Sequence, residues 1–159
     1  MFAKSVALLS FLRNGFFMLA ALAVFRILIG AIGVPESVGT WISSGTLLSM
    51  ILAMYYGYSA PSHGFKRYWH FVVIGLLISV VENLMVIAGI LTTANFGLVN
   101  YFSSERVTVN RHILGHLESA IGGMNSIPLV MLAGIGFLIG RRRHSLKSQA
   151  AFAQKAAGK

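Results

Sequence analysis

The sequence predicts an all-α membrane protein in which four transmembrane helices form a compact antiparallel bundle. Of its 159 residues, 56% are hydrophobic and only 11% are charged, whereas roughly 25% of the residues in a soluble domain are charged. Apolar stretches close to the ~20 residues that span a bilayer recur along the chain. The length allows one small domain. Cysteine is absent, which excludes disulfide and thiolate chemistry.

The apolar stretches and the turns between them place four spans, at about 16–34, 38–58, 70–91 and 118–140. Together they form one transmembrane domain over 1–140. Pro35 ends the first span, because proline lacks a backbone N–H and clashes inside a helix. The segment between the third and fourth spans is the longest connection, and we expect an external loop there. The basic tail, 141–159, is expected to be flexible beyond its first turn.

The distribution of Lys and Arg predicts that both termini are cytoplasmic. Ten of these residues fall on the side of the termini and two on the opposite side, and cytoplasmic segments of membrane proteins carry such an excess. The formal charge of +9 is thereby explained without a nucleic-acid partner. We expect contacts with anionic lipid headgroups at the cytoplasmic face, made by Lys66, Arg67, Arg141, Arg142 and Arg143.

Arg26 and Glu82 are the only charged residues inside the long apolar runs. A charge at a bilayer centre costs about 2.5–3.5 kcal/mol on insertion scales, so such residues usually face the bundle interior and have a partner. Each lies thirteen residues beyond an interfacial residue, Arg13 or Trp69. At ~1.5 Å per residue, both are about 20 Å from the same boundary. We therefore interpret them as a buried ion pair.

The other two spans contribute polar groups at the same depth. Together with Asn83, which follows Glu82, these residues are Ser44, Thr46, Asn125 and Ser126. Small residues recur at helical spacing on the same faces, which allows membrane helices to approach closely. The sequence thus predicts a buried polar centre around the ion pair. In the structural interpretation, the ion pair fixes the register of the helices. In the functional alternative, Glu82 relays a proton or an ion.

Two histidines suggest a metal site. His112 and His116 are four residues apart, share one face of a helix and could ligate one metal. A third ligand, such as Glu105 or Glu36, would have to come from elsewhere. Hydrogen-bonding surface histidines are the alternative interpretation, so the sequence favours no cofactor, and a metal or haem remains an alternative.

Recognisable catalytic motifs are absent from the sequence. It contains no phosphate-binding loop, nucleophile elbow, zinc-protease helix or dinucleotide fingerprint, and no Asp. We therefore expect a non-catalytic accessory, assembly or lipid-interacting component of a complex in a bacterial inner membrane, with a protein partner or a second copy of the chain. Two alternatives stay open: a small proton- or ion-coupled transporter or channel using Glu82, and a metal- or haem-binding membrane protein using His112 and His116.

Overall fold

The computed structural model describes residues 2–96, 108–123 and 125–157, and these residues are almost entirely helical. The middle of the expected external loop, 97–107, lies outside the described residues, whereas the flanking residues belong to α4 and α5. The elements are α1 (Phe2–Ala31), α2 (Glu36–Ile42), α3 (Gly45–Ser59), a 3₁₀ turn (Ala60–His63), α4 (Trp69–Phe96), α5 (Val109–Ile121) and α6 (Ser126–Ala157). Among them are four stretches long and apolar enough to cross a membrane: Val6–Ala31, Glu36–His63, Trp69–Phe96 and Val109–Ala150. The prediction of a helical chain with four membrane-length segments is confirmed.

The second of these segments is interrupted, whereas the sequence predicted one continuous span over 38–58. The hydroxyl of Ser43 donates to the carbonyl of Gly39 where α2 ends. Ser44 then begins α3, because its hydroxyl oxygen accepts a hydrogen bond from the N–H of Leu47 at 3.3 Å. A serine at this position satisfies an N–H group that the first turn of a helix would leave unpaired.

The fourth segment is also interrupted, so the continuous span predicted over 118–140 needs correction. Here α5 begins already at Val109 and ends at Ile121, and α6 begins at Ser126. Adjacent glycines, Gly122 and Gly123, weaken a helix at this point. Pro128 follows in the first turn of α6, the part of a helix where proline is tolerated.

The basic tail is helical, since α6 continues to Ala157; its flexibility stays a prediction. The reason for the helix lies in its composition, since the tail is rich in Ala, Gln and Lys, which have high helix propensity.

Helices α3 and α6 meet in a close contact that we call the glycine seam, formed by Gly57, Gly136 and Gly140. A Cβ atom on any of these glycines would collide with backbone atoms of the facing helix. Because glycine has no side chain, the two backbones come into contact, and such close packing stabilises the association of membrane helices. Phe137 and Ala133 are fully buried beside the seam.

Helix α1 packs against α3 and α4 on the other side. The backbone N–H of Gly15 donates to the Tyr56 hydroxyl at 2.8 Å. The ring of Phe11 meets Tyr56 edge-on, with 5.0 Å between the ring centroids. Further along α1, the side of the helix that faces α3 and α4 lines a cavity rather than a packed core.

Candidate functional site

A cavity of about 60 Å³ lies between α1, the α2–α3 junction and α4. Four of its lining residues have polar side chains, namely Arg26, Ser43, Thr46 and Glu82, and the rest are apolar or Gly45. A water molecule needs roughly 10–15 Å³ of such volume together with polar partners. The cavity is therefore large and polar enough to hold a few waters.

Glu82 is the central group of this cavity, and its side chain is only 6% exposed. Its Oε1 accepts a hydrogen bond from the Thr46 hydroxyl at 3.0 Å, whereas Oε2 is buried without a hydrogen-bond partner. Ser49 also faces the carboxylate, but its hydroxyl makes no hydrogen bond of standard geometry. One carboxylate oxygen thus keeps unused capacity to accept a hydrogen bond, a proton or a cation.

The interruption between α2 and α3 brings a helix N-terminus to this carboxylate. Oε1 of Glu82 lies 3.8 Å from the position that a Cβ atom on Gly45, the first residue of α3, would take. Helix N-termini carry a partial positive charge and favour anions. Since the break lies inside the segment, that positive end faces the cavity interior.

Arg26 lines the same cavity as Glu82. Among the residues that the structure describes, no salt bridge joins the two side chains within 4.0 Å. The direct ion pair predicted from the sequence is therefore not supported. Depth counting brought the two residues to one site, but it carries no information about which atoms touch.

Apart from Thr46, the other residues assigned to the polar centre do not line the cavity, and Asn83 belongs to a second polar cluster. Its Nδ2 donates to the carbonyl of Ser79 at 2.9 Å. Its Oδ1 lies 2.8 Å from Nδ1 of His116, and because an amide oxygen can only accept, that histidine nitrogen is the donor. This link between α4 and α5 was missed at the sequence level, because it joins residues 33 positions apart.

The remaining serines and Asn125 belong to the two helix interruptions. Ser44 caps α3. Ser126 is buried at the start of α6 and donates to the carbonyl of Gly123 at 3.0 Å. Asn125, half-buried, precedes it. The two serines thus make hydrogen bonds at the helix breaks.

The two histidines proposed as metal ligands do lie side by side. The ring centroids of His112 and His116 are 5.1 Å apart. Within the described ranges, no third His, Asp or Glu joins them to form a metal-binding cluster, and Glu105 lies outside those ranges. Since Asn83 already engages one nitrogen of His116, metal or haem binding stays a prediction from spacing alone.

Basic and aromatic residues gather where α3 ends, α4 begins and α6 leaves the seam; we call this region the basic end. Arg143 donates to the Tyr58 hydroxyl, and the guanidinium of Arg141 lies 4.8 Å from the ring centroid of Tyr68. Lys66 and Arg67 are exposed in the connection to α4, and Arg142 is exposed on α6. The five residues assigned to lipid contact thus lie near one end of the molecule.

Comparison with known proteins gives no further guide to this site. No protein-family model, no curated protein and no solved structure matches the chain. The interpretation therefore depends on the geometry of the cavity and of the basic end.

Proposed function

We propose that the protein is a small integral membrane protein that takes up and passes on a proton or small cation through Glu82. The observation that carries the proposal is the Glu82 carboxylate, buried in a polar cavity with Oε2 unpartnered. An ionisable group inside a membrane segment is costly, and it usually marks an ion or proton pathway. The site thus favours the alternative that the sequence ranked second.

Placement of the four segments in a bilayer is part of this proposal. Large apolar side chains on the outside of the segments, among them Val24, Leu28, Leu84 and Met131, are exposed. In water such an apolar surface promotes aggregation, whereas the lipid chains of a bilayer solvate it. We further propose a bacterial inner membrane with both termini in the cytoplasm, on the basis of the Lys and Arg distribution.

The order of contacts supports the antiparallel arrangement of α4 and α6. Tyr68 contacts Arg141, Phe71 contacts Phe137, and Gly75 approaches Val130. Residue numbers rise along α4 as they fall along α6, as expected of two helices that run in opposite directions.

The interrupted segments support ion handling. In several transporter folds, broken helices present their charged termini near the bilayer midplane, where they bind substrates and coupling ions. Non-helical backbone is tolerated at that depth where it is buried in protein or lines a cavity. Here the break between α2 and α3 lines the cavity that holds Glu82.

Proteoliposomes provide the test. With a pH-sensitive dye inside the vesicles and an imposed membrane potential, the protein should accelerate proton uptake over protein-free vesicles. Glu82→Gln should abolish this increase. The matched control is Glu36→Gln, because Glu36 is exposed and lies outside the cavity. A parallel assay with an imposed sodium gradient distinguishes sodium movement from proton movement.

Two results would contradict the proposal. One is wild-type protein, verified as folded by circular dichroism, that moves neither protons nor sodium. The other is a folded Glu82→Gln variant with wild-type flux.

An accessory role is the second candidate, favoured by the α6 extension. Residues 141–150 are helical and exposed throughout, so they form a cationic arm suited to an acidic partner or a second copy of the chain. Truncation before Leu146 should then release the partner, so the mass of the complex in native mass spectrometry from mild detergent should fall by more than the mass of the deleted residues. A fall equal to the deleted residues alone would count against this role.

A further inference from the structure

A second cavity, of about 370 Å³, lies at the basic end between the N-terminal part of α1 and the connection that leads into α4. Its lining includes the side chains of His63, Lys66, Arg67, Trp69 and His70. We propose that this cavity binds the phosphate group of an anionic membrane lipid. The inference uses the proposed placement in a bilayer, but it does not depend on Glu82.

Charge is the first argument. No described residue that lines the cavity is acidic, and no salt bridge to Lys66 or Arg67 occurs among the described residues. Two cationic side chains therefore line the cavity without a carboxylate counter-ion among the described residues. Guanidinium and ammonium groups are the usual protein partners of phosphate, since their N–H donors form charge-assisted hydrogen bonds with its oxygens.

The connection that carries these charges is held in shape. Phe65 is 8% exposed, and its ring lies 5.2 Å from that of Phe11 and 5.4 Å from that of His70, measured between centroids. Gly64 makes the turn before it with φ of 89°, a conformation that side chains disfavour. The N–H of Arg67 lies 3.0 Å from Nδ1 of His70. An ordered connection lowers the entropic cost of binding a ligand.

The surroundings of the cavity favour a lipid as the source of the phosphate. Trp69 lines it, and Tyr58 and Tyr68 lie at the same end with Arg143 and Arg141 against them. Trp and Tyr concentrate at membrane–water interfaces, and clusters of Lys and Arg beside a membrane segment attract anionic headgroups. In the proposed orientation, the cavity opens at headgroup level.

Tryptophan fluorescence offers a direct test, because the chain has only two tryptophans. In a Trp41→Phe background, Trp69 reports on the cavity. Detergent-solubilised protein is titrated with short-chain phosphatidylglycerol, short-chain phosphatidylcholine and inorganic phosphate. We expect a saturable change in Trp69 emission that is strongest for phosphatidylglycerol. Lys66→Gln/Arg67→Gln should weaken this binding roughly 30-fold, since each surface cation contributes about 1 kcal/mol towards anionic lipid.

The control removes the same charge elsewhere. Arg111→Gln/Lys147→Gln changes two exposed residues, on α5 and α6, that lie outside the cavity and should keep the parent affinity, as should Glu82→Gln. Equal loss in both double variants, or loss in neither, would overturn the proposal. Inorganic phosphate that binds as tightly as phosphatidylglycerol would overturn the lipid source. Should Lys66→Gln/Arg67→Gln fail to fold, the single Lys66→Gln variant provides the same test, with a roughly fivefold loss.

Discussion

The two sides of α3 differ in how closely they pack. On one side, Gly57 of α3 and Gly136 of α6 bring backbone against backbone in the glycine seam. On the other side, α1 contacts α3 through Tyr56 and Gly15 and then leaves a polar cavity around Glu82. Close packing stabilises, whereas a cavity with a buried carboxylate costs stability. The comparison teaches that the close packing lies on the seam side, whereas the side proposed to handle ions is the one that is packed less closely.

Disrupting the seam should have the largest effect. Gly57→Ala places a Cβ against the backbone of Ala133, which cannot move aside as a flexible side chain could. Overpacking typically costs about 1–3 kcal/mol, and a collision with backbone belongs at the upper end of this range, so the apparent Tm in detergent should fall sharply. The control is Gly115→Ala, where an added Cβ meets nothing within 4 Å; its Tm should stay level or rise. A Gly57→Ala protein as stable as that control would contradict the close approach.

The second largest loss of stability is expected from a change at Asn83 in α4. Glu82 lines the cavity beside α1, whereas the adjacent Asn83 forms a hydrogen bond with His116 on α5. Asn83→Leu removes this bond and that to Ser79. We expect a loss of about 2 kcal/mol in the free energy of unfolding, because a buried polar partner is left unsatisfied. Asn95→Leu is the control, since Asn95 is exposed and, among the described residues, its amide donates to the carbonyl of Leu91 in its own helix. Equal losses would mean that the α4–α5 bond contributes nothing.

How far the sequence predicts this arrangement can be judged from the same residues. Hydropathy predicts the membrane-length segments, and counting from interfacial residues brings Arg26, Thr46 and Glu82 to one depth. The two helix breaks were missed, because an averaged hydropathy does not register serine caps or paired glycines. The Asn83–His116 bond was missed because depth along one helix does not determine which helix lies beside it. The ion pair was inferred from opposite charges, whereas contact depends on side-chain direction.

A smaller effect tests the cavity side. Thr46→Val keeps the side-chain shape but removes the hydrogen bond to Oε1 of Glu82, which should cost about 1 kcal/mol. Proton uptake into proteoliposomes should change as well, since the carboxylate loses its one hydrogen-bond donor of standard geometry. Thr40→Val is the control, because the Thr40 hydroxyl bonds to its own helix at an exposed position. If the Thr46→Val variant keeps the stability and the proton uptake of the wild type, Thr46 has no role at the site.

The smallest change in stability is expected for Glu82→Gln, and its size separates the two interpretations of the cavity. Breaking a buried ion pair by neutralising one partner costs about 3–5 kcal/mol, because the other charge is left uncompensated. In the structure, no salt bridge joins Glu82 to Arg26 within the described residues, and the glutamine oxygen can still accept from Thr46. We therefore expect the free energy of unfolding, measured by titration with a denaturing detergent, to change by less than about 1 kcal/mol. A loss near the ion-pair value would restore Arg26 as the partner of Glu82 and make the cavity part of the structural framework.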